Sequence, residues 1–483
     1  MNYRAVVYYI GYILKIVSAF LAIPLITSLC YQEWSSALAC LYTALVFLGS
    51  GFLLAPKAPK KKKLGSKDGL IIVGLSWIVV SLIGALPFVF SQAIPNYFDA
   101  LFETISGFTG TGATILDDIE SVPHGILMWR SLTHWLGGMG ILIFLLAVIP
   151  SSDGSTFQLM RFESPGPQVG KLVSKVRHSA AISYFIYLAF TVLEMIFLMC
   201  GGIGVFDSVN LAFATAGTGG FAVTNNSIAS YESLYIEIVI IVFMLIFSVN
   251  FNIYYLIVLG KFSAVLKNEE FRTYLIYIFV AIVALTASLV SQVGNFWEAL
   301  RQAAFVVSTT ASETGFTTVD YAQWSEASKA IVMTLCIVGS CAGSTGGGLK
   351  FSRFLVIIKS AGVTLINVIR PNTIQSVKLD KKPFSDQELQ GITGYFVLLV
   401  FVIAISSVLL CCLGRDLSTS FYTTISMLGG NGPNLSSAVG ATSSYSSFGW
   451  AEKAIMMADM LIGRLEIYPI LLLFTPQVWS KHF

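Results

Sequence analysis

Charge is what this chain has least of. Of its 483 residues only 11% are Asp, Glu, Lys or Arg, while 55% are hydrophobic. A soluble domain carries about 25% charged residues, so the composition excludes an ordinary soluble fold and points to an integral membrane protein. The formal net charge of +3 is too small to argue for a nucleic-acid partner, and the basic residues fall between apolar windows. Histidine is scarce, and His124, His134, His178 and His482 are scattered without metal-ligand spacing. The seven cysteines, Cys30, Cys40, Cys200, Cys336, Cys341, Cys411 and Cys412, include no Cys-x-x-Cys pair. Most lie inside apolar windows, where they read as small packing residues. No nucleophile, base or metal cluster stands out, so the chain is not expected to be an enzyme.

What is present is apolar length. Several windows run about 20 residues with almost no charge, enough to cross roughly 30 Å of hydrocarbon. The first two lie near residues 7–30 and 36–55. The first lacks a small-residue cleavage pattern and reads as a membrane helix, not a removed signal. Lys57, Lys60, Lys61, Lys62, Lys63 and Lys67 follow. Positive charge accumulates on cytoplasmic loops, which places this run and the N-terminus inside.

From residue 69 one order of segments occurs four times: a full window, a segment too short to span, a glycine-containing loop, and a second full window. Windows 69–91 and 126–149 flank segment 97–108; windows 180–203 and 233–259 flank 206–217; windows 273–291 and 328–360 flank 296–310; windows 392–412 and 450–475 flank 414–427. A segment that cannot cross must enter and return on one side, and such backbone is tolerated only where protein or water surrounds it. The charges agree. Loops between the repeats carry Arg161, Lys171, Lys175, Arg177, Lys261, Lys267, Arg272, Arg370, Lys378, Lys381 and Lys382, whereas the opposite side carries Asp99, Asp117, Asp118, Glu120, Asp207, Glu232, Asp320 and Glu326. The expected fold is all-α integral membrane, with ten transmembrane helices. Four tandem helix–re-entrant loop–helix repeats surround a pseudo-fourfold pore, and both termini are cytoplasmic. The expected divisions are 1–68 for the N-terminal helices and basic loop, then 69–150, 180–260, 272–360 and 390–483 for the repeats.

The four loops align on Gly112, Gly219, Gly315 and Gly432, a periodic self-similarity of the kind that marks internal repeats. Glycine permits backbone conformations that other residues resist. Four such loops about one axis can present rings of carbonyl oxygens that replace the water shell of a small cation. Hydroxyls of Thr111, Thr218 and Thr314 beside the glycines add oxygen ligands. Short helices ending at the same axis turn their negative dipole ends towards it. The several carboxylates of a tight calcium site are lacking, so a weakly held monovalent ion is expected.

Thr111-Gly112-Ala113, Thr218-Gly219-Gly220-Phe221, Thr314-Gly315-Phe316-Thr317-Thr318 and Asn431-Gly432-Pro433, each between helices, resemble the TrkH/KtrB family of potassium uptake proteins. The stretches Cys341-Ala342-Gly343-Ser344-Thr345-Gly346-Gly347-Gly348-Leu349-Lys350 and Gly463-Arg464-Leu465-Glu466-Ile467 extend the resemblance over nearly the whole chain. The two extra N-terminal helices make it more similar to the TrkH branch. Gly110 and Gly429-Gly430 depart from residues common in the family. The resemblance implies K+ held at the eight loop residues Thr111, Gly112, Thr218, Gly219, Thr314, Gly315, Asn431 and Gly432, with Na+ and Rb+ as other candidate ions. It implies a homodimer in the cell membrane, bound to cytoplasmic TrkA-like regulatory subunits. Nucleotide would bind those subunits, with no cofactor on this chain. The rival readings are an H+- or Na+-coupled secondary transporter and a weakly selective Na+/K+ pathway.

The window after the third loop is too long for one span, and Gly339–Gly348 holds five glycines in ten residues. Glycine costs about 1 kcal/mol relative to alanine inside a helix, so the helix is expected to break there. The resemblance makes Gly343, Ser344, Thr345, Gly346, Gly347 and Gly348 an intramembrane gate; the alternative is a close helix crossing. The spacing of Gly343 and Gly348 mimics a phosphate loop, but Leu349 stands where the lysine belongs. Arg464 lies mid-window, where an ionisable residue is a functional candidate. The resemblance puts it beside the ion path; the alternative is an ion pair with Glu466 or Asp459. Glu194, also within an apolar window, is read as structural, and Trp135, Gly137, Gly138 and Gly140 as close helix packing.

Overall fold

A computed structural model of the chain describes residues 2–56, 66–138, 140, 176–370, 375–436 and 438–479. The basic run Lys57–Lys63 and the linker with Arg161, Lys171 and Lys175 lie outside the described residues. The fold is helical, with a short antiparallel pair, Lys378–Leu379 against Lys382–Pro383. Among the described residues, seven helical stretches are long and apolar enough to cross a membrane. The pair Leu234–Ser248 and Phe251–Val258 would be an eighth span, but it is bent by 94°.

The N-terminal region is a hairpin. Helix Tyr3–Phe20 continues into Ala22–Cys30, and Trp34–Leu54 returns against it. Two glycines let the backbones approach, as small residues do between membrane helices. A β-carbon on Gly51 would lie 2.8 Å from the Gly11 carbonyl oxygen, and one on Gly11 would lie 2.8 Å from the Ala55 nitrogen.

Four short helices follow in turn: Tyr97–Thr109, Val205–Ala216, Phe296–Ala311 and Leu417–Gly429. The sequence explains where they begin. Asn96, Asn295 and Asp416 accept hydrogen bonds from Phe98, Trp297 and Thr419 amides, so three starts carry a side-chain cap. Asp99, Asp207 and Glu298 in the first turns oppose the positive helix ends.

The windows after the loops are less regular than the sequence suggests. The third breaks at the glycine-rich stretch, as its composition predicts: helix Glu326–Val338 ends at Gly339 (φ +69°), and a new helix, Phe351–Ile369, runs past residue 360. The second and fourth windows break as well. Helix Leu234–Ser248 stops at an extended Val249, and Asn250 caps the next helix by accepting from the Asn252 amide. Helix Trp450–Leu465 stops at Glu466 (φ +59°), and Ile467–Leu473 follows. Of the window 126–149 the described helix is His124–Gly138, and the remainder lies outside the described residues.

The hairpin crossing generates a stability prediction. Gly51→Val overpacks the crossing and should cost about 1–3 kcal/mol, read as a lower thermal-inactivation midpoint of the purified protein. Gly49→Val, which meets open space, should leave that midpoint in place.

Candidate functional site

The four loops share one conformation. Each leaves its short helix through a left-handed residue: Gly110 (φ +71°), Thr218 (+49°), Glu313 (+63°) and Gly430 (+73°). The next residue's amide reaches back into the helix. Thr111 donates to Ser106 O at 3.0 Å, Gly219 to Ala214 O at 2.9 Å, Thr314 to Thr309 O at 2.9 Å and Asn431 to Ser426 O at 3.0 Å. Then comes a second left-handed residue, always glycine: Gly112, Gly220, Gly315 and Gly432. This register corrects one expectation. The counterpart of Gly112 in the second loop is Gly220, while Gly219 stands where Thr111 does. By residue type Thr218-Gly219 pairs with Thr111-Gly112, but Thr218 occupies the left-handed exit that Gly110 fills in the first loop. Gly110 therefore has a conformational counterpart in every loop, though residue type does not reveal it.

The loops touch in a closed cycle. A β-carbon on Gly112 would overlap the Gly219 carbonyl oxygen, and one on Gly220 the Thr314 oxygen. One on Gly315 would overlap the Asn431 oxygen, and one on Gly432 the Thr111 oxygen. The four oxygens belong to equivalent residues, so they form one tier, each lying against the glycine of an adjacent loop. The C-terminal ends of the four short helices lie at this ring, which directs four negative dipole ends there.

The hydroxyls have their own partners. Thr111 Oγ1 bonds Thr109 Oγ1 at 2.9 Å, Thr314 Oγ1 bonds Ser312 Oγ at 2.7 Å, and Thr218 Oγ1 donates to Gly217 O at 2.8 Å. They fasten each loop to the end of its helix. Asn431 is buried, and neither atom of its amide has a hydrogen-bond partner among the described residues.

Three side chains that the sequence reading did not assign brace the ring from outside. Arg130 Nε meets Glu103 Oε1 at 2.6 Å with both residues buried, and Arg130 Nη1 donates to Ala222 O at 2.9 Å. Its guanidinium lies 3.5 Å from the Phe221 ring centroid. Glu103 also accepts from the Ile115 amide at 2.9 Å, so the pair joins the exits of loops one and two. His134 bridges Gly107 O (2.7 Å) and the Phe221 amide (3.3 Å). A signal for Arg130 was available: it is a charge within one of the full apolar windows.

The segment Gly339–Lys350 is buried and tied to its surroundings through backbone bonds. Cys341 and Thr345 amides donate to Ser248 O (3.0 Å) and Phe247 O (3.4 Å), at the break of the second repeat. The Gly348 amide donates to Gly463 O at 3.2 Å, next to the break of the fourth. Arg464 donates to Thr345 O (2.5 Å), Gly137 O (2.5 Å) and Gly138 O (2.6 Å). Its guanidinium therefore links this segment to the first repeat. The two acids considered as its partners are engaged elsewhere: Asp459 accepts from Ser406 at 2.7 Å, and Glu466 pairs with Arg353 at 2.7 Å. Gly137 packs against Phe108 O and Gly138 against Gly217, so these glycines do serve close approach. Trp135 stacks on Tyr187 at 5.5 Å. Glu194 is buried beside Thr215 of the second short helix, away from the ring's own contacts.

A family described as "TrkH: Cation transport protein" matches residues 39–482. The chain belongs to the TrkH family. It is 33% identical over 490 residues to the Trk system potassium uptake protein TrkH of Escherichia coli (strain K12), with 100% of each chain covered. It is 30% identical over 488 residues to TrkH of Halomonas elongata, again over 100% of each. The crystal structure of the potassium transporter TrkH from Vibrio parahaemolyticus matches with a TM-score of 0.89 at 26% identity, over 99% of this chain and 100% of that one. The family resemblance carried by the loops is thereby borne out, and a multi-span helical cation transporter is the class to which the chain belongs.

Two predictions follow from the ring. Alanine at Gly112, Gly220, Gly315 or Gly432 drives a β-carbon into a neighbouring backbone, and each variant should lower rubidium uptake at least about tenfold. Gly219→Ala instead meets the His134 ring. Pairing it with His134→Ala should restore part of the uptake, while the same pairing should not rescue Gly220→Ala. The buried brace is checked by stability: Arg130→Met leaves Glu103 uncompensated and should cost about 3–5 kcal/mol. Thermal inactivation should show that Glu103→Gln together with Arg130→Met costs less than Arg130→Met alone.

Proposed function

We propose that this chain carries potassium across the cell membrane through a channel-like pore whose selective element is the four-loop ring. The observation that carries the reading is the tier of four equivalent carbonyl oxygens, Thr111 O, Gly219 O, Thr314 O and Asn431 O, closed by glycines. Carbonyl rings replace the hydration shell of a monovalent cation without the carboxylates of a tight divalent site. The relatives named as potassium uptake proteins support the choice of ion.

In this proposal Thr111, Gly112, Thr218, Gly219, Gly220, Thr314, Gly315, Asn431 and Gly432 form the filter. Gly343–Gly348 is the gate, and Arg464 sets the potential beneath the filter. The polypeptide divides into residues 1–68 and repeats 69–150, 180–260, 272–360 and 390–483, with ten passages and both termini cytoplasmic. It works as a homodimer with cytoplasmic TrkA-like subunits that bind the regulatory nucleotide. This chain binds no cofactor and catalyses no covalent step.

Rubidium uptake into cells lacking their own potassium systems tests the proposal, with sodium as competitor. Expression should give saturable Rb+ uptake that excess K+ suppresses far more than equal Na+. Bilayer recording should show discrete currents reversing at the K+ equilibrium potential. Uptake that Na+ suppresses as well as K+ does, or flux strictly coupled to H+ or Na+, would overturn it.

A further inference from the structure

We infer that the glycine-rich segment is a backbone nest for the carboxylate of Glu313, and that Glu313 positions the third loop and the segment as one unit. This rests on the pore reading above and goes beyond it by naming the link between filter and gate. Glu313 is the left-handed exit residue of loop three; the other loops carry Gly110, Thr218 and Gly430 there. It immediately precedes Thr314, whose carbonyl oxygen lies against Gly220. The side chain is 1% exposed and points into the segment. Oε1 accepts the Ser340 amide at 2.9 Å and the Ser340 hydroxyl at 3.4 Å, and Oε2 accepts the Gly347 amide. Every one of these contacts is a donor to the carboxylate, the arrangement an anion requires. The two amides come from opposite ends of the segment, so its fold, not one run of successive residues, gathers the donors around the anion.

The glycines are where the carboxylate needs them. A β-carbon on Gly339 would overlap Oε1, and one on Gly346 would overlap both Oε2 and Ser340 Oγ. Gly348 would also be crowded, at 3.3 Å from Oε1. Gly347 differs, since a β-carbon there points away from the carboxylate and meets Gly463 O at 3.3 Å. Lys350, fully buried, supplies the compensating charge. Its Nζ donates to Gly346 O at 2.5 Å, to Ser340 Oγ at 3.1 Å and to Ser344 Oγ at 3.4 Å. Ser340 thus stands between anion and cation. The acid at the loop exit and the glycine-rich stretch occur in the same repeat because each is shaped to the other. Withdrawing the segment removes the donors from Glu313, and with them the support of the carbonyl tier at Thr314.

The test is a double-mutant cycle between Glu313→Gln and Gly346→Ala in the full chain with its regulatory subunit. It reads Rb+ uptake per unit of folded membrane protein and K+/Na+ discrimination. Glu313→Gln sets an amide N–H against a backbone N–H. Losing one hydrogen bond to a charged group should shift the seating of the segment by about tenfold. The expected result is uptake that no longer depends on the regulatory subunit, reduced K+/Na+ discrimination in each single variant, and no further change in the double variant. Gly49→Ala, which meets open space on the N-terminal hairpin, should remain regulated. Glu313→Gln with parental regulation and discrimination, or additive effects in the double variant, would overturn the inference. If Glu313→Gln does not accumulate, Gly346→Ala decides alone: an unregulated, less selective protein supports the nest, and a parental one refutes it. Failure of the parent to carry Rb+ would count instead against the pore reading.

Discussion

The architecture depends on one close approach: a carbonyl oxygen of each loop set against the α-carbon of an adjacent loop. No side chain fits between them, so each of these contacts selects glycine. Each loop also needs two left-handed residues, which fixes its course from helix end to ring. The short helices, their caps and the braces outside the ring hold that approach in place. Glu103 and Arg130 are buried at this level because they tie together the segments leaving two neighbouring loops, and His134 stands between the end of the first short helix and the second loop. An unpaired charge there would carry a large desolvation cost, so the two residues function as a unit.

Irregular backbone at membrane depth has to find hydrogen-bond partners within the protein. The Gly339–Lys350 segment and the breaks in the second helices answer this need together. Carbonyls released at Phe247, Ser248 and Gly463 accept amides from the segment. Carbonyls at Gly137, Gly138 and Thr345 converge on Arg464. An arginine offers five N–H donors in a fixed fork, and here three carbonyls from two repeats occupy it. The charge at residue 464 has an architectural task alongside any effect on passing ions.

Much of this was legible in the sequence because it rests on length and glycine. The apolar windows, the four short helices and the break at Gly339–Gly348 follow from hydropathy and helix propensity. What was not legible depends on contacts distant in the chain. The breaks at Val249 and Glu466 occur in stretches with no glycine cluster, since partners in the third repeat compensate the lost helical bonds. The shift from Gly219 to Gly220 arises because Thr218 adopts a left-handed conformation that its residue type disfavours. Threonine beside glycine suggested free hydroxyl donors, yet Thr109 and Ser312 engage those hydroxyls. Arg130 stands out as a charge inside an apolar window, but only the fold identifies Glu103 as its partner.

The order in which the loops touch has a consequence for how the molecule is made. Loops one to three meet in the sequence in which they are synthesised, so their contacts can form as the chain emerges. The seam between Gly432 and Thr111 is different, because it joins nearly the first and last parts of the ring. Until residue 432 has entered the membrane, the tier lacks its fourth oxygen and loop three faces an empty quadrant beside Gly315. A chain under construction therefore has three quarters of the carbonyl tier and an open side. Long-range closures of this kind are slow because they carry loop entropy before any contact offsets it. The fourth loop thus acts as the keystone of the ring.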